Sequence, residues 1–128
     1  MKRNESESMD ELRALCENVR VLIKQDQLDA CGKLITDAMG KYPHAPEPNN
    51  LLGILLEVQG DHPLAMKHFR AAWALDPAYR PARQNLDSYA SFYAREAIAF
   101  DESDCLDEPL SKVEIVYDQR GVGHVVKR

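Results

Sequence analysis

Residues 46–79 read PEPNNLLGILLEVQGDHPLAMKHFRAAWALDPAY. Pro46 and Pro48 suit the first turn of a helix, where a missing amide hydrogen is no loss. Leu51, Leu52, Ile54, Leu55 and Val58 follow at helical spacing. They make the helix apolar on more than one side, so neighbours are expected to cover more than one of its faces. Gly60-Asp61 breaks the pattern. Asp61 is a candidate N-cap, with Pro63 in the first turn behind it. The second helix reaches Leu75 and stops before Asp76-Pro77, because a residue preceding proline is pushed out of the helical region. The stretch reads as two antiparallel helices joined by a tight turn.

A shift of 34 residues upstream carries Pro77 to Pro43, Ala72 to Ala38, Phe69 to Ile35, Ala65 to Cys31 and Leu56 to Leu22. Small or apolar positions and a terminating proline therefore recur at one period. The upstream copy supplies two more helices. Ser8 and Glu11 form a capping-box pattern ahead of Leu12, Leu15, Val19, Leu22 and Ile23, so the first eight residues are expected to be disordered. After a polar break at 24–27, a second helix is expected from about Leu28 to Lys41, ended by Gly40 and Pro43. Downstream, Ala82, Leu86, Tyr89, Tyr93, Ala97 and Phe100 predict a fifth helix from about Arg80 to Phe100.

Two helices per 34-residue unit is the period of the tetratricopeptide repeat, and residues 46–79 resemble that family. Leu52, Gly53, Leu56, Ala65, Phe69, Ala72 and Pro77 fall at its signature positions. Gly53 and Ala65 are small, which lets helices approach closely. Leu56 and Phe69 are large and fill the space between layers. Asn49 stands where the family often has an aromatic. The 9–45 copy is degenerate, with Asn18-Val19 for Leu-Gly and Cys31 for alanine. Residues 80–100 resemble a capping helix.

The resemblance implies an all-α fold: a right-handed superhelix of antiparallel helix pairs, with about five helices. It also implies that the first helix of each pair lines a concave groove. By register, that groove would present Arg13, Cys16, Arg20, Ile23 and Lys24, then Glu47, Asn50, Ile54, Glu57 and Val58, then Gln84, Ser88, Ser91 and Phe92. Arg13, Arg20, Lys24, Asn50, Ile54, Glu57, Gln84, Ser88 and Phe92 are the expected partner-binding set. Arg13, Arg20 and Lys24 share one helix face and make a basic strip suited to a carboxylate-bearing segment. One subgroup of the family grips a C-terminal carboxylate with lysine and asparagine. Its lysine pattern is absent, with Cys16, Arg20, Asn50, Ile54, Gln84 and Ser88 at the corresponding places.

The tail changes character. Asp101, Glu102, Asp104, Asp107 and Glu108, followed by Pro109, read as a solvated acidic linker over 101–111. Val113, Ile115 and Tyr117 alternate with Glu114, Val116 and Asp118 at a strand period. Gln119 to Gly123 can turn the chain, and Val125-Val126 can return it. Residues 112–128 are thus expected to form a short C-terminal β-hairpin or extended tail. Such a tail can lean on the helices or pair edge-to-edge with a second copy.

Composition sets the remaining bounds. With 128 residues, 45% hydrophobic and 29% charged, the chain can bury one real core. A net charge of −5 argues against general binding to nucleic acid or an anionic membrane. No apolar run approaches the roughly 20 residues that cross a bilayer. The polar start has no apolar core for a secretory leader. Three cysteines, Cys16, Cys31 and Cys105, suit reduced thiols and a cytoplasmic location.

No catalytic residue, metal site or cofactor is expected. His44, His62, His68 and His124 are scattered. Cys105 lies in an acidic stretch that should raise its pKa. Gly121-Val122-Gly123 lacks the context of a phosphate loop. Asp118 and His124 can meet across a hairpin, but such pairs are common near turns. Tyr89, Phe92 and Tyr93 read as packing rather than a base-stacking platform. The favoured function is a protein–protein interaction module or adaptor that takes a peptide or protein, plausibly acidic, in the groove. The alternative is a chaperone or assembly factor, or a scaffold that self-associates through its extended C-terminal tail. An enzyme or a nucleic-acid binder using the basic tail is disfavoured.

Overall fold

Helix limits in the computed structural model repeat with the sequence period. The structure describes residues 5–90 and 98–105, together with the backbone of 113–117 and 123–127. Five helices occur among these residues: α1 (Glu5–Lys24), α2 (Leu28–Lys41), α3 (Pro46–Val58), α4 (His62–Leu75) and α5 (Arg80–Ala90). The starts of α2 and α4, and of α3 and α5, are 34 residues apart. So are the ends of α1 and α3, and of α2 and α4. Equivalent side chains share an environment. Cys31 and Ala65 are sealed, as are Ile35 and Phe69, while Leu22 and Leu56 are half-buried.

Local chemistry explains the boundaries. The α3 N-terminus follows an extended Ala45 and places proline in its first turn. Gly60 sits at φ +90, a conformation that favours glycine. Asp61 then caps α4, its carboxylate accepting from the Leu64 amide at 3.3 Å. At the α1–α2 turn the reversal is made by Asp26 at φ 58.

Two boundaries differ from expectation. Helix α1 begins at Glu5, three residues ahead of the predicted Ser8 cap. Glu5 and Glu7 in its first turn complement the helix dipole, so the helix extends through residues expected to be disordered. Residues 1–4 lie outside the described residues. At the other end, the helix predicted to reach Phe100 is not helical over 98–100. The Ala99 amide and carbonyl are instead taken by the side chain of Asn85.

Packing follows from residue size. Each helix packs on its sequence neighbour, and α1, α3 and α5 also touch in that order, so the odd helices share one side. A Cβ added to Gly53 would lie 2.5 Å from a Phe69 ring carbon. Glycine there lets the α4 ring press directly onto the α3 backbone. The Phe69 ring in turn stacks on Tyr89 of α5, with centroids 5.6 Å apart and planes 10° off parallel. The α3 backbone, the Phe69 ring of α4 and the Tyr89 ring of α5 thus stack in turn, and each fully buried large side chain contributes about 1.5–3 kcal/mol.

A 3-10 turn at Glu102–Asp104 follows. It replaces the start of the expected solvated linker, because its carboxylates have cationic partners on α1 and α5. Residues 106–112 lie outside the described residues. Two short segments, β1 (Val113–Tyr117) and β2 (Gly123–Lys127), pair their backbones antiparallel with Val113 opposite Lys127. The connecting residues 118–122, including Asp118 and Gly121-Val122, also lie outside the described residues.

Candidate functional site

The shared side of α1, α3 and α5 is occupied by residues 98–105 of the same chain. Recognition there begins with the backbone. Asn50 of α3 donates its side-chain amide to the Ala99 carbonyl at 3.0 Å. Asn85 of α5 donates to the same carbonyl at 2.8 Å and accepts from the Ala99 amide at 3.0 Å. Asn85 also donates to Asn50 Oδ1 at 2.9 Å, which locks the two amides into one network. Ala99, Asn50 and Asn85 are all fully buried. Buried amides must be satisfied, and here each satisfies the other or the segment's main chain. Asparagine is suited to the task because it donates and accepts at once.

The next residue supplies apolar anchorage. Phe100 is 7% exposed and belongs to the same core cluster as Leu12, Leu15 and Ile54. The Arg20 guanidinium lies 4.9 Å from its ring centroid, in cation–π range.

Arg20 also grips the segment's charge. Its two terminal nitrogens meet Asp104 Oδ1 at 2.9 Å and Oδ2 at 2.8 Å, a bidentate fork. One of them lies 3.4 Å from Asp101 Oδ1, and Nε donates to Glu17 at 3.1 Å. Hydrogen bonding to Asp104 drives the Arg20 pKa up, against the opposing effect of burial. Burial alone would raise the Asp104 carboxyl. Hydrogen bonds from Arg20 and from the amides of Phe100 and Asp101 outweigh it and hold the carboxyl below its ordinary value. Asp101 accepts from the Ser103 amide at 2.9 Å, and Asp104 accepts from the Asp101 amide at 3.3 Å, so the turn caps itself. Arg80 of α5 adds a bond to Glu102 at 2.8 Å.

The residues expected to line the groove divide into three groups. Arg20 and Asn50 hold the segment directly, and Gln84 reaches the Asp104 carbonyl at 3.5 Å. Ile54 and Ser88 are buried, Ile54 in the same core cluster as Phe100. Arg13, Lys24 and Glu57 do other things. Arg13 is exposed and 3.9 Å from Asp10, Lys24 is exposed in the last turn of α1, and Glu57 pairs with His62. Of the basic strip, Arg20 is the residue that meets the segment's carboxylates among the described residues. Phe92 lies outside the described residues.

Asn85 escaped the sequence reading, although a signal was present. It sits three residues after Ala82 and four before Tyr89, a polar residue on an apolar stripe. Register pointed to Gln84, one position away. Asp101 and Asp104 were missed because their partner Arg20 is more than 80 residues away, as the separation of 84 for Asp104 shows.

The thiols are poorly placed for nucleophilic chemistry. Burial pushes Cys16 up to about 12, with Glu47 and Asp101 adding to the rise. Burial, with Glu102 beside it, pushes Cys105 up to about 11. Among the described residues no group of three or more His, Cys, Asp or Glu could hold a metal ion. No helix among them is long and apolar enough to cross a membrane. Compared with protein-family models, curated proteins and solved structures, the chain gave no match.

Proposed function

We propose that this chain is a tetratricopeptide-type repeat module, coiled as a right-handed superhelix, whose groove binds an acidic polypeptide segment. Residues 98–105 are the resident copy of that ligand. The 34-residue recurrence of helix limits and the Gly53–Phe69 contact support the repeat reading.

The observation that carries the function is the main-chain clasp at Ala99. Asn50 and Asn85 read a peptide backbone without regard to side chain, as a peptide-binding groove requires. Specificity then comes from a small residue at the clasp, an aromatic after it, and carboxylates two and five residues beyond the clasp that meet Arg20, as in Ala99, Phe100, Asp101 and Asp104. Catalysis is not part of this reading. The buried thiol and phenol of Cys16 and Tyr79 are both shifted away from ionisation, opposite to the need of a nucleophile or base.

A tethered segment competes with any ligand in trans at an effective concentration on the order of mM. The test therefore uses a Phe100→Ala chain, whose resident segment is weakened. A fluorescent peptide with the sequence of residues 98–105 should bind it saturably. Adding Arg20→Glu should weaken binding by at least about tenfold, the worth of a charge-assisted fork. Equal binding by the Arg20 variant would remove the groove assignment.

A further inference from the structure

A second concavity, of about 750 Å³, lies beside the resident segment. Its walls come from the N-terminal half of α1, the first turn of α3, the start of α5's approach at Tyr79, and the turn at 101–103. Met9, Leu12 and Ala14 give it an apolar side. Acidic residues surround it, but most have a cation. Asp10 has Arg13, Glu17 and Asp101 share Arg20, and Glu102 has Arg80.

Glu47 differs. It lines the cavity, and among the described residues no cation lies within ion-pair distance of it. Its Oε1 is sealed from solvent and accepts no hydrogen bond. Tyr79, also lining the cavity and 6% exposed, has a sealed hydroxyl with no hydrogen bond of normal geometry. The group facing it is the Cys16 thiol, a weak partner. Glu47 Oε1 and the Tyr79 hydroxyl thus meet at one cavity with no conventional hydrogen bond, the hydroxyl facing only the Cys16 thiol. Leaving a buried carboxylate oxygen and a buried phenol unpaired is costly, and the missing element is a cationic donor.

We propose that this cavity binds a primary alkylammonium group, with the charge at Glu47 and Tyr79 and the stem against Met9, Leu12 and Ala14. A free small amine and the lysine side chain of a partner share that chemistry. The site shares the turn at 101–103 with the resident segment, but its test reads ammonium binding to the full chain with that segment in place and uses no peptide.

The experiment titrates the full chain with n-butylammonium and, separately, with Nα-acetyl-lysine amide, following amide resonances of residues 13–16, 47 and 79. n-Butanol and acetamide are the neutral controls. Saturable shifts with either ammonium compound and none with the controls are expected. A response to n-butylammonium alone assigns a free amine, and a response to the lysine amide assigns a side chain. Glu47→Gln should weaken binding by at least about tenfold, and Tyr79→Phe by about threefold, as expected for charged and neutral hydrogen bonds. Unshifted resonances elsewhere establish that each variant is folded. No shift with either ammonium compound in the wild-type chain, an equal response to the neutral controls, or undiminished binding by a folded Glu47→Gln chain would overturn the proposal.

Discussion

Replacing Asn85 with alanine isolates the clasp. In the native chain its side chain makes three hydrogen bonds: to the Ala99 carbonyl, from the Ala99 amide, and to Asn50 Oδ1. Removing it does not orphan all three partners. The Ala99 carbonyl keeps Asn50 as a donor. The Ala99 amide and Asn50 Oδ1 are left unpaired in a site with no exposed surface. Each unsatisfied buried group costs about 1–3 kcal/mol, so the loss should be about 3 kcal/mol if water partly refills the gap. Asn50→Ala should cost less, because it strands only one Asn85 donor while Asn85 still serves both ends of Ala99.

Urea unfolding measures both losses, and an unchanged slope against denaturant shows that the unfolded reference is the same. Amide hydrogen exchange provides the local reading. Ala99 should lose protection in the Asn85 variant while Phe69, in the core, loses only what global destabilisation dictates. A cost below about 1 kcal/mol, or an Ala99 amide exchanging no faster than the global loss requires, would refute the clasp.

Three further outcomes follow from the packing and the charge. Gly53→Ala should destabilise by about 1 kcal/mol, since overpacking against Phe69 exceeds the helix-propensity gain of alanine. In a Phe69→Leu background the same substitution should turn neutral or stabilising, and thermal melts of the four chains would expose the sign change. The Asp104 carboxyl is held below its ordinary value of 3.8, so its contribution is full above that pH and is lost as pH falls through the lower folded-state value. Asp104→Asn should cost about 2 kcal/mol at neutral pH and progressively less under acid, as read by urea titrations across that range. Glu47 has the opposite sign. Burial raises its carboxyl above 4.5, so Glu47→Gln should gain stability relative to wild type as pH rises through the folded-state value.

Burial leaves a periodic trace, and whatever has a period was legible. Leu12, Leu15 and Val19 announce α1, and the 34-residue spacing aligns Cys31 with Ala65 and Ile35 with Phe69 before any coordinate is seen. Gly53 could be read as a close approach because its neighbours are large. Arg20 and Asn50 could be placed on the groove side by register alone. The resident segment could not. An acidic run has the same composition whether solvated or clamped, and nothing near Asp101 or Asp104 announces an arginine on α1. Helix α1 also starts without a sequence stop signal, so Ser8 looked like a cap although the chain ahead of it is already helical.

The central claim is that one groove takes both the resident segment and a ligand in trans. Adding unlabelled peptide of residues 98–105 to the full, isotope-labelled chain tests it at the atom concerned. Peptide binding should displace the resident segment, strip the Ala99 amide of its exchange protection and move the side-chain amide signals of Asn50 and Asn85. Peptide that binds while Ala99 stays protected, or that fails to bind at concentrations of several mM where the tethered copy can be outcompeted, would contradict the account.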